Sequence, residues 1–264
     1  MWNDKLAAAN RRKTFHMKLA KTSTEIASCA DCNIRYRAVC ATCDTSELKK
    51  LEDIKYYRSF DAGQPIMFEG DEMHFVASVV SGAAKLSRTL PDGRLQMLGL
   101  LLPSDFIGRP GRETVDYDVE AIQKVTLCCF RRKPFEALIG STPHIGQRLL
   151  SMSLDDLEVA REWMMLLGRK TAREKITFLL SLIGRRTASL HLQTFSDGLT
   201  FEMPMSREAM GEYLGLTIET VSRQMTALRK DGTIEMTGSR TITIPDLANL
   251  MAETGDDNDG GLLA

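Results

Sequence analysis

No apolar run in the 264-residue chain approaches membrane-spanning length, and Met1–Lys21 carries charges and a histidine where a secretion signal needs an apolar core. A cytoplasmic protein without a membrane partner is the expectation. An excess of one charge is also missing: 34 Lys and Arg face 35 Asp and Glu, for a formal net charge of −1. That balance gives nucleic-acid binding no support, yet does not veto it, because a small local basic face is enough. The acidic Glu253–Asp259 stretch, followed by Gly260-Gly261, reads as a disordered tail that lowers the total without belonging to a folded surface. Histidine is scarce and scattered, at His16, His74, His144 and His191, and no conventional catalytic constellation is present. An enzyme is therefore not expected. Residues from Met1 to about Thr24 carry Arg11, Arg12, Lys13, Lys18 and Lys21 and little hydrophobic pattern.

What is present is a concentration of sulfur. Four of the six cysteines lie in Cys29-Ala30-Asp31-Cys32 and Cys40-Ala41-Thr42-Cys43, and the other two are adjacent at Cys128-Cys129. In a cytosolic chain clustered cysteines point to metal or redox work rather than disulfides. Two CxxC pairs separated by seven residues suit a four-thiolate zinc knuckle. They equally suit three thiolates of an iron–sulfur cluster whose fourth ligand comes from elsewhere. Spacing alone does not separate the two.

Asp44 to Glu47 has capping-box spacing, with Leu48, Leu51 and Ile54 on one face of the helix that follows. From Tyr56 the period shortens. Short strand-like runs, among them Phe75–Val80, Gln96–Leu102 and Tyr117–Phe130, are divided by turns such as Pro91-Asp92-Gly93-Arg94. Many short strands with glycine turns predict a small β-barrel or jelly roll. Thr142-Pro143 then opens a long helix to Gly168, with Leu150, Leu154, Leu157, Met164 and Leu167 at three- and four-residue steps. Leu149, Met152, Val159, Trp163, Met165 and Leu166 make it apolar on more than one face. Two partner surfaces are implied, its own domain and a twin helix.

Arg169, Lys170, Arg173, Lys175, Arg185 and Arg186 form the most basic region; a charge run is usually a solvated face, and one beside a helix-turn-helix can also contact phosphate. Ser206 caps a short helix with Ala209, Met210 and Leu214 inward; Gly215 ends it, and Thr217 caps a second helix with Val221, Met225 and Leu228 inward. Glu219, Ser222, Arg223 and Arg229 face outward. This is a helix-turn-helix whose second element suits a major groove, and a β-hairpin over Ile234–Ile244 supplies a wing. The fold class is α+β: a cysteine segment over 1–55, a β-roll sensor over 56–141, a dimerisation helix over 142–168, a winged helix-turn-helix over 169–249 and an acidic disordered tail over 250–264.

With these residues in hand the chain resembles the CRP/FNR family of bacterial transcription regulators from Cys29 to about Ile244, most of all its oxygen-sensing fumarate-nitrate-reduction branch of alphaproteobacterial type. Leu214-Gly215-Leu216-Thr217-Ile218-Glu219-Thr220-Val221-Ser222-Arg223 is similar to that branch's recognition-helix signature. The resemblance implies DNA contacts by Glu219, Ser222 and Arg223, and a dimer on a palindrome like TTGAT-N4-ATCAA. It also implies an oxygen-labile [4Fe-4S] cluster held by Cys29, Cys32, Cys40 and Cys128, with RNA polymerase as a further partner. Cys43 and Cys129 are extra thiols beyond that pattern. The stripe around Leu157 and Ala160 lacks an acidic residue that some members use to hold unliganded subunits apart, although Glu158 and Glu162 adjoin it. Cyclic nucleotide is not an expected ligand: Phe106-Ile107-Gly108-Arg109 runs into Pro110, without the glutamate and the arginine–serine pair that nucleotide-sensing members use. A constitutive DNA-binding protein stapled by zinc at Cys29, Cys32, Cys40 and Cys43 is the alternative.

Overall fold

The computed structural model describes residues 28–93 and 95–255. The expectations for Met1 to about Thr24 and for the tail beyond 255 lie outside them. A run of turns over 28–43 leads into α1 (Thr45–Ile54). Its start is the predicted capping box: the Asp44 carboxylate accepts from the backbone N–H of Ser46 and Glu47, while Glu47 accepts from the Asp44 N–H at 2.9 Å. Eight strands follow, β1 (Lys55–Phe60), β2 (Pro65–Met67), β3 (Phe75–Ser81), β4 (Ala84–Thr89), β5 (Leu95–Leu101), β6 (Phe106–Ile107), β7 (Asp118–Ala121) and β8 (Val125–Arg131). They form two four-stranded sheets, ordered β1-β8-β3-β6 and β2-β7-β4-β5, which make the β-roll. Strand β3 lies inside its sheet, and Phe75 to Val80 are all buried, which is why that run is apolar without alternation.

Helix α2 (Arg132–Ser141) joins the roll to α3 (Pro143–Arg169). Thr142 stands at the N-cap of α3 but its side chain makes no capping bond; Pro143 sets the first turn. The two apolar faces separate as expected. Ile145 and Leu166 are buried against the chain itself, and Leu149 and Met152 pack on the β-roll core. Leu150, Leu154, Leu157 and Met164 are 45–67% exposed on the other side.

Beyond α3 come α4 (Ala172–Leu190), β9 (Leu199–Glu202), α5 (Arg207–Leu214), α6 (Ile218–Lys230), β10 (Glu235–Thr237), β11 (Thr241–Ile244) and α7 (Leu247–Ala252). The wing is a three-stranded sheet, β10-β11-β9. Between α5 and α6, Gly215 adopts φ +65°, a left-handed cap that its lack of a Cβ makes inexpensive. Gly211 matters for another reason: a Cβ there would lie 2.6 Å from the Leu216 carbonyl oxygen, so only glycine lets the turn fold back this closely.

Two expectations need correction. The tail does not begin at 250: Leu250 and Thr254 are fully buried, and the Glu253 carboxylate pairs with Arg173 and accepts from the Thr233 hydroxyl at 2.8 Å. Much of the basic stretch after α3 is likewise engaged within the chain. Arg173 also pairs with Asp231, Lys175 is buried against the Leu214 carbonyl, and Arg186 pairs with Asp105 of the β-roll at 2.5 Å. These partners lie far away in sequence, so the charge of Arg173, Lys175 and Arg186 is engaged within the fold.

Two apolar cores result. One joins the cysteine turns, the β-roll, α2 and the start of α3; the other lies within the helix-turn-helix and wing. Met97 of β5 belongs to the second, and Trp163 of α3 stacks on Tyr213 of α5 with ring centroids 4.0 Å apart. The helix-turn-helix is therefore docked on both the roll and the long helix.

Candidate cysteine centre and nucleic-acid interface

The cysteine turns hold themselves together before they touch anything else. The Arg35 guanidinium donates to the carbonyls of Cys40, Ala41 and Cys43 at 2.5–2.8 Å, replacing the ladder partners that irregular backbone lacks. Ile34, Ala38 and Val39 are 1–2% exposed and seat the segment on the β-roll. At its start the Cys29 N–H donates to Glu52 at 2.9 Å, and the Lys55 ammonium donates to the Cys29 sulfur at 3.4 Å.

Between this segment and the roll lies one cavity of about 20 Å³, lined by Cys29, Cys32, Cys40 and Cys128 together with Tyr57 and Ser78, among others. It has room for about one water molecule. The sheet explains how Cys128 arrives there. Cys128 on β8 is in register with Tyr57 on β1 and with Ser78 on β3, so the three form one cross-strand row on the same face. Cys129, one residue on, faces the other way and is fully buried. Neither Cys129 nor Cys43 lines the cavity. Among the described residues, no three His, Cys, Asp or Glu side chains converge on a site for one metal ion.

Burial governs the thiols. It raises the pKa of Cys40 to about 11 and that of Cys43 and of Cys129 to about 12. Cys128 is pushed up by burial first and then by its sulfur neighbours, and Cys29 by burial against the opposing pull of Lys55. Burial therefore favours the protonated form of Cys29, Cys40 and Cys128, and ligation by them releases protons. Four soft sulfur donors around one apolar cavity, drawn from two separate parts of the chain, fit an iron–sulfur group in ligand chemistry.

On α6 the buried face is Val221, Met225 and Leu228, each at most 2% exposed. Glu219 and Arg223 are exposed and Ser222 is half-buried on the outer face. The Thr217 hydroxyl caps the helix by accepting from the Thr220 N–H at 3.3 Å. The Glu219 carboxyl is held below its ordinary pKa by its own backbone N–H and then by Thr217, rather than by a cation. Ile218, the first residue of the helix, is 46% exposed beside it. Its signal was an apolar residue directly after a helix cap, where an inward side chain is not required.

Residues 176–253 match the family model described as Crp-like helix-turn-helix domain, and residues 57–142 match that described as cyclic nucleotide-binding domain. The chain is 59% identical over 246 residues to the transcriptional activator protein FnrL of Cereibacter sphaeroides, covering 93% of this chain and 99% of that protein. It is 39% identical over 206 residues to the nitrogen fixation regulation protein FixK of Bradyrhizobium diazoefficiens, covering 78% and 85% respectively. Among solved structures, FixK2 from Bradyrhizobium japonicum superposes with a TM-score of 0.68 at 30% identity, over 77% of this chain and 99% of that one. These relatives share the β-roll, long-helix and helix-turn-helix order and are regulators rather than enzymes; the chain belongs to the CRP/FNR family of transcription regulators.

Proposed function

We propose that this protein is an oxygen-responsive, iron–sulfur-dependent transcription regulator that binds a TTGAT-N4-ATCAA-like palindrome as a dimer and controls anaerobic or microaerobic gene expression. The observation that carries this reading is the cavity shared by Cys29, Cys32, Cys40 and Cys128. These four thiols would hold a [4Fe-4S] cluster, which supplies oxygen-labile chemistry when bound. The place of Cys43 outside the cavity that Cys29, Cys32, Cys40 and Cys128 line favours this ligand set over a four-thiolate zinc staple at Cys29, Cys32, Cys40 and Cys43. The 59% identity to a transcriptional activator of FnrL type adds weight. The same reading places the protein in the cytoplasm with RNA polymerase as a partner, and leaves cyclic nucleotide out, since Arg109 is followed by Pro110.

The chain's own contacts suggest how the cysteine segment reaches the long helix. The Thr42 hydroxyl donates to the His144 carbonyl at 3.2 Å, the His144 ring meets Glu47 at 2.9 Å, and Arg148 donates to the Arg37 carbonyl at 2.6 Å. A cavity this small cannot admit a cluster unless the turns shift outward. Any such shift is transmitted directly to the first two turns of α3. Along the same helix the exposed leucines meet a second copy, and dimerisation sets two α6 helices one DNA turn apart. Arg223 then reaches guanine, Glu219 accepts from cytosine, Ser222 selects or positions, and Ile218 lies where a thymine methyl would meet it.

The test is anaerobic purification with iron, sulfide and zinc analysis, then visible absorption and binding to the palindrome before and after air. The reading predicts iron and sulfide in equal amounts, an absorption band that bleaches in air, and loss of specific binding with it. Tight zinc at one ion per chain, with no labile iron and with binding indifferent to air, would replace it by the zinc-stapled constitutive regulator.

A further inference from the structure

Two hydroxyl-bearing residues line the cysteine cavity: Tyr57, whose hydroxyl meets Cys128, and Ser78, whose hydroxyl is not engaged by any of the thiols. Ser78 is 2% exposed, and among the described residues its hydroxyl has no hydrogen-bond partner. A buried hydroxyl left without a partner costs about 1–3 kcal/mol, so its retention in an otherwise apolar strand asks for a reason. Its neighbours supply one. Ser78 lines the cavity with the four thiols and stands in register beside Cys128, on the opposite side from Tyr57. The strand around it, Phe75 to Val80, is otherwise Phe, Val and Ala, so packing alone would be served by alanine.

We propose that Ser78 donates its hydroxyl proton to a sulfur of the group held at Cys29, Cys32, Cys40 and Cys128, and thereby slows that group's oxidation by oxygen. The inference rests on the iron–sulfur reading. The physical basis is charge. Sulfur carries more negative charge in the less oxidised form of such a group, so a fixed donor stabilises that form and makes an electron harder to remove. Ser78 acts here as a positioning residue that tunes the centre through a ligand atom. It holds no iron itself. In the unloaded protein the cavity has room for one water, which would serve the hydroxyl until sulfur takes its place.

Wild-type protein and Ser78→Ala are purified anaerobically and compared in three readouts: iron and sulfide per chain, iron–sulfur stretching bands by resonance Raman in H2O and D2O, and the rate of visible bleaching in air-saturated buffer. Expected are matching iron content, stretching bands that shift in the variant and lose their solvent-isotope sensitivity, and bleaching roughly tenfold faster. A packing role would leave the isotope sensitivity unchanged. If Ser78→Ala takes up too little iron to measure, Ser78→Thr, which keeps the hydroxyl, should restore both iron and isotope sensitivity; failure to restore them counts against the proposal. Wild-type protein that holds the cluster, with a Ser78→Ala variant identical in bands and bleaching, overturns the hydrogen bond alone. Wild-type protein without iron and sulfide overturns the hydrogen bond and the iron–sulfur reading together.

Discussion

Arg223 shows what a single residue contributes and how it is tested. Its helix is fixed from behind by Val221, Met225 and Leu228, so truncating an exposed guanidinium leaves the fold untouched. Arg223→Ala should lose roughly 1–3 kcal/mol of discrimination for the palindrome over random DNA, measured by anaerobic titration at fixed salt. An equal loss on both sequences would make it a phosphate contact. The buried thiols give a second residue-scale prediction. Because burial raises Cys40 from 9.0 to about 11, the unfolded chain ionises first as pH rises. The stability tied to the protonated thiol is thus complete below pH 9 and is lost as pH climbs through about 11. Denaturant melts of the metal-free protein should weaken across that window, and Cys40→Ser should flatten the trend. At this scale Arg223 was legible from the outward face of a capped helix. The separate positions of Cys128 and Cys129 were not legible from residue chemistry, since adjacent strand residues face opposite ways and only the register of β8 with β1 and β3 says which meets the cavity.

Among the elements, α3 had the clearest pattern and kept it. Its two apolar faces could be read because helical periodicity is local, and Ile145 and Leu166 lie on the inner face while Leu150, Leu154 and Leu157 lie uncovered. Leu157→Asp should bury an unpaired charge in the seam between two copies, at a cost of several kcal/mol, and shift anaerobic sedimentation toward monomer. An unchanged dimer population at the same protein concentration would move the interface elsewhere. The basic stretch at the start of α4 was misread for an instructive reason. Its cations lie within eighteen residues, but the carboxylates that pair with two of them, Asp231 and Glu253 with Arg173 and Asp105 with Arg186, come from three distant places in the chain. Charge patterning shows how many charges an element carries. It does not show which of them folding neutralises. Glu253 is the counterpart of the same error, an acidic residue assigned to a loose tail that instead fastens α7 to α4.

For the molecule as a whole, the order of roll, long helix and winged helix-turn-helix follows from changes in hydrophobic period along the chain. How these parts sit on each other does not. Met97 enters the helix-turn-helix core from β5, Trp163 stacks on Tyr213, Asp105 holds Arg186, and Arg37 of the cysteine turns donates to the Ser189 hydroxyl at the end of α4. Each contact joins residues fifty or more positions apart, beyond the reach of periodicity. Together they connect the cysteine turns to the start of α3 on one side and to α4 on the other. If the proposed switch operates, these contacts offer it two routes, one to the exposed leucines of α3 and one to the helix-turn-helix.

The central claim is that four particular thiols, and not the two beside them, hold the oxygen-sensitive group. The adjacent pair on β8 tests it most directly, because Cys128 and Cys129 share a strand, are both buried, carry the same thiol and present it on opposite faces. Iron per chain is measured in anaerobic Cys128→Ala and Cys129→Ala alongside the wild type. The account predicts about four irons per chain in the wild type and in Cys129→Ala, and severe loss in Cys128→Ala. Iron retained by Cys128→Ala and lost from Cys129→Ala would contradict it.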